Sequence, residues 1–200
     1  AGYYRDYSNS VLWPILHGIT EGVLASTTSC DRYVDVKRRF AEQMHRDLRT
    51  GDRVWIHDYH LLLVPQLLRA KAEALGTPIA FFLHTPFPEL SVFKMIPEYR
   101  MLLHGMLGSD VIGFHTAEYA GNFRRAAEDS GYAVTDDCII VNGRMVEVRV
   151  RPMGIDADMF AHLGADPGVL QEVARLRSSD RILFLGVDRL DYTTGIPQRL

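Results

Sequence analysis

Along most of this chain, apolar runs of strand length alternate with longer segments of helical period, the pattern of a mostly parallel sheet with helices on its faces. Val54-Trp55-Ile56-His57-Asp58 is short, rich in β-favouring residues and preceded by the turn signal Gly51-Asp52, so it predicts a buried strand. Residues 60–74 then predict helix, 78–84 a second buried strand, 97–107 a helix and 110–115 a third strand. The next helix, 116–129, opens on Thr116 as a cap with Glu118 in its first turn. Upstream, Tyr33, Val36, Phe40, Met44 and Leu48 recur at helical spacing within 31–49 and predict a core-facing stripe, with Asp31 as the cap.

The texture changes after Gly131. Cys138-Ile139-Ile140-Val141, then Asn142-Gly143, then Met145-Val146-Glu147-Val148-Arg149-Val150, predicts a β-hairpin closed by a two-residue turn. Residues 152–156 predict an irregular crossing segment, and a helix near 169–177 leads into 181–188, a strand that opens a second α/β unit. Ile196-Pro197-Gln198-Arg199-Leu200 has the form of the first turn of a helix, with Pro near its start. With Ala1-Gly2-Tyr3-Tyr4 in place of an initiator Met, the sequence is expected to be a piece of a longer protein.

Composition narrows the function classes. The 200 residues are 47% hydrophobic and 24% charged, the balance of a globular chain, and no stretch approaches the apolar length of a membrane span. A net charge of −3 gives no electrostatic case for nucleic acid or an anionic membrane as partner, so an anionic ligand must be held by local groups. Two cysteines, Cys30 and Cys138, far apart and without CxxC spacing, form neither a disulfide framework nor a zinc signature, and a reducing, cytoplasmic setting is expected.

Three predicted strands end in polar residues: Asp58, His84 and Arg189. The carboxyl ends of parallel strands are where open α/β sheets bind ligands, so these side chains stand where a site is expected. A histidine or aspartate at such a place also serves structural ends, the aspartate as a helix cap. Thr85-Pro86-Phe87-Pro88, stiffened by two prolines, shapes the loop after His84. The signatures HExxH, GxSxG, GxxxxGK[ST] and GxGxxG are absent, which leaves metalloprotease, nucleophile-elbow, P-loop and dinucleotide-dehydrogenase readings without support. His57, Asp58 and His60 crowd together, but on a strand His57 and Asp58 point to opposite faces, a poor geometry for one metal ion.

Five ordered blocks carry a resemblance. Tyr4-Arg5-Asp6-Tyr7-Ser8-Asn9-Ser10-Val11-Leu12-Trp13-Pro14, Val54-Trp55-Ile56-His57-Asp58-Tyr59-His60-Leu61, Phe81-Phe82-Leu83-His84-Thr85-Pro86-Phe87-Pro88, 105–115 and Gly186-Val187-Asp188-Arg189-Leu190-Asp191-Tyr192 resemble the motifs of the trehalose-6-phosphate synthases, glycosyltransferase family 20. The resemblance implies a GT-B fold of two Rossmann-like domains. Residues 1–155 would be an acceptor-side domain lacking its N-terminal part, 156–180 a linker and helix, and 181–200 the start of a nucleotide-sugar-binding domain. It implies a retaining glucosyltransferase that moves glucose from a nucleotide diphosphate glucose, commonly UDP-glucose, to glucose 6-phosphate, with no metal or other cofactor. By position, Tyr4 and Trp13 would line the acceptor site, Asp58 bind acceptor hydroxyls, His84 contact the donor sugar and Arg189 hold the donor diphosphate, with Asp58, His84 and Arg189 as the catalytic set. A fixed guanidinium fork stabilises a departing diphosphate more as its charge develops.

Two positions depart from that pattern. Thr194 stands where the family usually has a lysine that contacts the donor phosphates, and Thr85 where an isoleucine commonly follows the histidine near the acceptor. The first predicts weaker or different donor binding; the second opens acceptor choice to relatives that make glucosylglycerol phosphate or couple aminocyclitols. A catalytically silent homologue that binds sugar phosphate is the alternative from another class, and association into a homo-oligomer stays open. The isolated 200-residue chain is expected to be inactive, because the family's glycine-rich donor loop and acidic C-terminal motif are not within it.

Overall fold

The structure, a computed structural model, describes residues 2–23, 27–177 and 182–199. The chain divides into two compact units, Ala1–Pro152 and Met153–Leu200. The first unit starts with a wide π-helical segment, Gly2–Leu12, that continues into α1 (Trp13–Leu16), with Pro14 in its first turn. Then come α2 (Thr27–Asp47), β1 (Val54–His57), a 3-10 turn (Tyr59–Leu61), α3 (Val64–Leu75), β2 (Ile79–Phe82), α4 (Leu90–Phe93), α5 (Tyr99–Met106), β3 (Val111–Phe114) and α6 (Ala117–Asp129). β4 (Ala133–Val134), β5 (Cys138–Val141) and β6 (Arg144–Val150) complete it.

One six-stranded sheet runs in the order β1-β2-β3-β6-β5-β4. β1, β2, β3 and β6 are parallel, with His57 beside Phe82, Phe82 beside Gly113 and Phe114 beside Val150, so their carboxyl ends lie in one row. β5 and β4 fold back antiparallel to β6 and β5. The hairpin turn between β5 and β6 puts Asn142 at φ 52° and Gly143 at φ 82°, the two positive values that a two-residue turn matching strand twist requires. β2 and β3 are buried almost throughout, as strands covered on both faces must be, while β1, at the sheet edge among the described residues, alternates buried Val54 and Ile56 with exposed Trp55 and His57. Thr116 caps α6 by accepting from the Tyr119 backbone N–H, as its sequence predicts.

Three expectations are corrected. α2 starts at Thr27, so Asp31 lies inside it rather than capping it. Its buried stripe is Cys30, Tyr33, Lys37 and Ala41, while Phe40 is 49% exposed. The helix is therefore rotated from the predicted stripe, because Tyr33 must reach the loop after β1. The helix predicted from residue 60 is a 3-10 turn followed by α3, whose first turn accommodates Pro65.

In the second unit, Asp156 caps α7 (Ala157–Gly164) by accepting from the Met159 N–H, and Asp166 caps α8 (Pro167–Leu176) by accepting from Gly168 and Val169. Residues 182–188, predicted as part of a strand, carry no strand pairing, and Phe184 is 89% exposed; Arg181 lies outside the described residues. A strand holds only through its ladder and cross-strand side chains, and no neighbouring strand of the described residues pairs with this one. A 3-10 turn (Tyr192–Thr194) and α9 (Ile196–Arg199) end the unit.

Candidate functional site

Asp58 sits immediately beyond β1 with φ 70° and ψ 170°, a backbone region nearly restricted to glycine. Its N–H still donates to the Phe82 carbonyl at 2.8 Å, so the sheet ladder continues to it before the chain turns away. It is not a side-chain cap of the 3-10 turn that follows. Its carboxylate Oδ1 instead accepts from the His84 backbone N–H at 3.2 Å, tying the ends of β1 and β2 together. Strain of this kind costs about 1 to 3 kcal/mol and persists where surrounding structure imposes it. The imposing contacts are visible: the Leu61 N–H donates to the Asp58 carbonyl, and buried Tyr33 of α2 donates its hydroxyl to the Tyr59 carbonyl at 2.9 Å while accepting from the Leu62 N–H at 3.2 Å.

The turn after Asp58 also builds the platform for the N-terminal aromatics. Tyr4, 52% exposed, stacks on His60 with ring centroids 5.3 Å apart and planes 12° from parallel. Trp13 packs on Tyr59 at 5.4 Å and on His17 at 4.1 Å, and the Tyr59 hydroxyl donates to Asn9 Oδ1. Behind them, Lys37 is 1% exposed, its ammonium 4.2 Å from the Tyr3 ring centre and 4.7 Å from that of Tyr33. Burial holds the Lys37 amine down to about 8. Burial also lowers His60, against the pull of Asp58 and with the help of the Lys37 charge.

Histidines end three adjacent strands. His57 is the last residue of β1, His84 follows β2, and His115 follows β3. His57 Nδ1 is 2.9 Å from His84 Nε2, with the rings 27° from parallel, and the His115 ring lies 5.8 Å from that of His84. Phe82 sets the spacing: its ring contacts both His84 and His115, and it lies over Gly113, where a Cβ would come within 2.6 Å of it. His84 is held below the usual imidazole value, by burial first, with Asp58 opposing and the fields of His57 and His115 adding. Thr85 is 4% exposed, and its hydroxyl has no hydrogen-bond partner among the described residues.

Arg189 and Thr194 belong to the second unit. The Thr194 hydroxyl donates to the Asp191 carbonyl at 2.7 Å, Asp191 accepts from the Thr193 N–H at 2.9 Å, the Asp191 N–H donates to the Arg189 carbonyl at 2.8 Å, and Arg199 donates to the Thr194 carbonyl at 2.9 Å. Beside it a hollow of about 550 Å³ is lined by Phe184, Leu185, Gly186, Asp188, Ile196 and Arg199. Of the residues singled out from sequence, Tyr4, Trp13, Asp58 and His84 thus share one strand-end region, directly or through Tyr59 and His60. Sequence reasoning weighed His57 and His60 only as metal ligands, and gave no role to His115 or Lys37. For His57 and His115 the signal was present, since each ends an apolar strand run; for Lys37 there was none. Among the described residues no group of three or more His, Cys, Asp or Glu is placed to hold a metal ion. No helix among them is long and apolar enough to cross a membrane.

The family model for glycosyltransferase family 20 matches residues 1–200. The bifunctional trehalose-6-phosphate synthase/phosphatase of Thermoproteus tenax is 42% identical over 100% of the chain, which covers 28% of that relative. The UDP-forming alpha,alpha-trehalose-phosphate synthase 2 of Aspergillus niger is 40% identical over 99% of the chain and 42% of the relative. A solved structure described as trehalose-6-phosphate from E. coli bound with UDP-2-fluoro glucose superposes with a TM-score of 0.86 at 32% identity, over 99% of this chain and 44% of that one. The chain thus spans less than half the length of the relatives it matches.

Proposed function

Since the chain belongs to glycosyltransferase family 20, we propose that the protein containing it transfers glucose, with retention, from UDP-glucose to glucose 6-phosphate to form trehalose 6-phosphate. The observation that carries this reading is the match along the whole chain to UDP-forming trehalose-phosphate synthases. The strand-end geometry is compatible with it. Tyr4 and Trp13, set on His60 and Tyr59, offer aromatic faces to an acceptor sugar. Asp58 has one carboxylate oxygen bonded to the His84 N–H, which leaves capacity to accept from acceptor hydroxyls. A lowered pKa keeps His84 neutral near pH 7, suited to a sugar hydroxyl rather than to a phosphate.

In the proposed step the bond between the anomeric carbon and the diphosphate oxygen breaks as the acceptor oxygen bonds to that carbon from the same face. The acceptor hydroxyl proton leaves with the diphosphate. Arg189 is assigned the developing negative charge, which a guanidinium stabilises more in the transition state than in the ground state. The region Asp58-Tyr59-His60 holds the acceptor in attack geometry. A reducing, cytoplasmic setting is proposed with it, and burial pushes the Cys30 thiol up to about 11.

A second reading has a specific observation behind it: the Thr194 hydroxyl is already committed to the Asp191 carbonyl. A hydroxyl so engaged, where a donor-binding cation is expected, suits a homologue that binds sugar phosphate without using a nucleotide donor. Full-length protein supplied with UDP-glucose and glucose 6-phosphate separates the two. Release of UDP with trehalose 6-phosphate supports the transferase; glucose 6-phosphate binding with no UDP release overturns it in favour of the silent homologue. The 200-residue chain alone is expected to release no UDP.

A further inference from the structure

We propose that His57 is a positioning residue that locks His84 in its Nε2–H tautomer, so that His84 Nδ1 stands as a bare acceptor for a hydroxyl of the donor sugar. This deepens, and rests on, the assignment of His84 to the donor sugar.

Only one proton fits between His57 Nδ1 and His84 Nε2 at 2.9 Å, and it belongs to one ring or the other. If His57 donates, both rings carry their proton on Nδ1, and the second nitrogen of His84 is a donor. If His84 donates, both rings carry it on Nε2, and the second nitrogen of His84 is an acceptor. A neutral imidazole in water intrinsically favours Nε2–H, so the second arrangement satisfies both rings at once, while the first places both in the less favoured form. The bond is therefore directional, and His57 decides which chemistry His84 offers.

The surroundings leave that decision to His57. Asp58 Oδ1 engages the His84 backbone N–H. Phe82 and His115 meet the His84 ring as neighbouring rings, with centroids 4.7 Å and 5.8 Å away. The two rings meet edge to edge, with centroids 5.2 Å apart and planes 27° from parallel, the near-coplanar alignment that a hydrogen bond between ring nitrogens favours. Gly113 matters indirectly, since it makes room for the Phe82 ring that backs His84.

The test uses full-length protein with ¹⁵N-labelled histidine. Long-range ¹H–¹⁵N correlation reads the His84 tautomer without substrate, and titration reads the affinities for UDP-glucose and for UDP. The wild type is expected to show Nε2–H. His57→Phe keeps a ring but removes the acceptor, so His84 becomes a mixture of tautomers. UDP-glucose affinity then falls only by the share of His84 that has left the Nε2–H form, about twofold for an even mixture, with UDP affinity unchanged. His57→Asn places an amide oxygen where Nδ1 stood and is expected to restore both the tautomer and the affinity. A wild-type His84 protonated on Nδ1, or the same tautomer in wild type and His57→Phe, overturns the proposal. If His57→Phe fails to fold, His57→Asn and the wild-type tautomer decide in its place, and an Nδ1–H form in either overturns it. A wild type that binds no UDP-glucose refutes the donor assignment on which this rests, while the tautomer still settles what His57 does to His84.

Discussion

Replacing Lys37 with methionine should stabilise the fold, and the gain should disappear in alkali. Lys37 is 1% exposed, and burial lowers its amine from 10.5 to about 8. At about 1.4 kcal/mol per tenfold change in protonation equilibrium, this places a penalty of about 3 kcal/mol on the folded state below pH 8. The rings of Tyr3 and Tyr33, 4.2 Å and 4.7 Å from the ammonium, return about 1 kcal/mol between them, leaving about 2. Methionine keeps the stem's packing and its contact with the aromatic rings while removing the charge. The sign follows from linkage: between pH 8 and 10.5 the unfolded chain binds more protons at this position than the folded one, so wild-type stability rises with pH there. Lys37→Met should therefore be more stable by about 2 kcal/mol at pH 7, and by under about 1 kcal/mol at pH 10. Urea denaturation of both proteins across pH 7 to 10 measures it, and the difference between them cancels every other titrating group. A variant less stable at pH 7, or an advantage that stays constant to pH 10, would refute the reasoning.

Three further outcomes are expected. At Asp58, with φ 70°, the glycine variant should be more stable than the alanine variant by about 1 kcal/mol, because only glycine occupies that backbone region freely; equal melting temperatures would show the backbone relaxes, and both variants should lose transfer. Thr85→Val removes a buried hydroxyl that lacks a partner among the described residues, and should raise stability by about 1 kcal/mol by thermal melt; a loss of stability together with weaker acceptor binding would instead assign that hydroxyl to the acceptor. Thr194→Lys in the full-length protein should tighten UDP-glucose binding by about ten- to a hundredfold by calorimetry, by adding one charge-assisted hydrogen bond; equal affinities would show that the turn at Asp191 holds this side chain away from the phosphates.

The strands that carry the site were legible because each is a compact apolar run that ends in polar residues. Val54 to His57, Ile79 to Phe82 and Val111 to Phe114 all form, and Asn142-Gly143 turns the hairpin as its dipeptide demands. The region 182–188 carries a similar signal yet forms no strand among the described residues, since an apolar run specifies a strand only when a neighbour supplies the other half of the ladder. The orientation of α2 was read wrongly for a related reason. Periodicity by itself favours Phe40 over Lys37 for the core, but Tyr33 is fixed by its two hydrogen bonds to the loop after Asp58, and that rotation carries Lys37 inward.

By itself, then, the sequence determined the α/β order of elements, the parallel strands with polar ends, and the ordered blocks that mark the glycosyltransferase family. These are properties of residues close together in the chain, where side-chain period and turn chemistry act directly on φ and ψ. Only the tertiary structure decided that Asp58 is held at φ 70° against the His84 N–H, that His57 shares a proton with His84, and that a lysine is enclosed by two tyrosines. Each of these joins segments that are remote in sequence, and their chemistry arises from a distance of a few ångströms that no local pattern encodes.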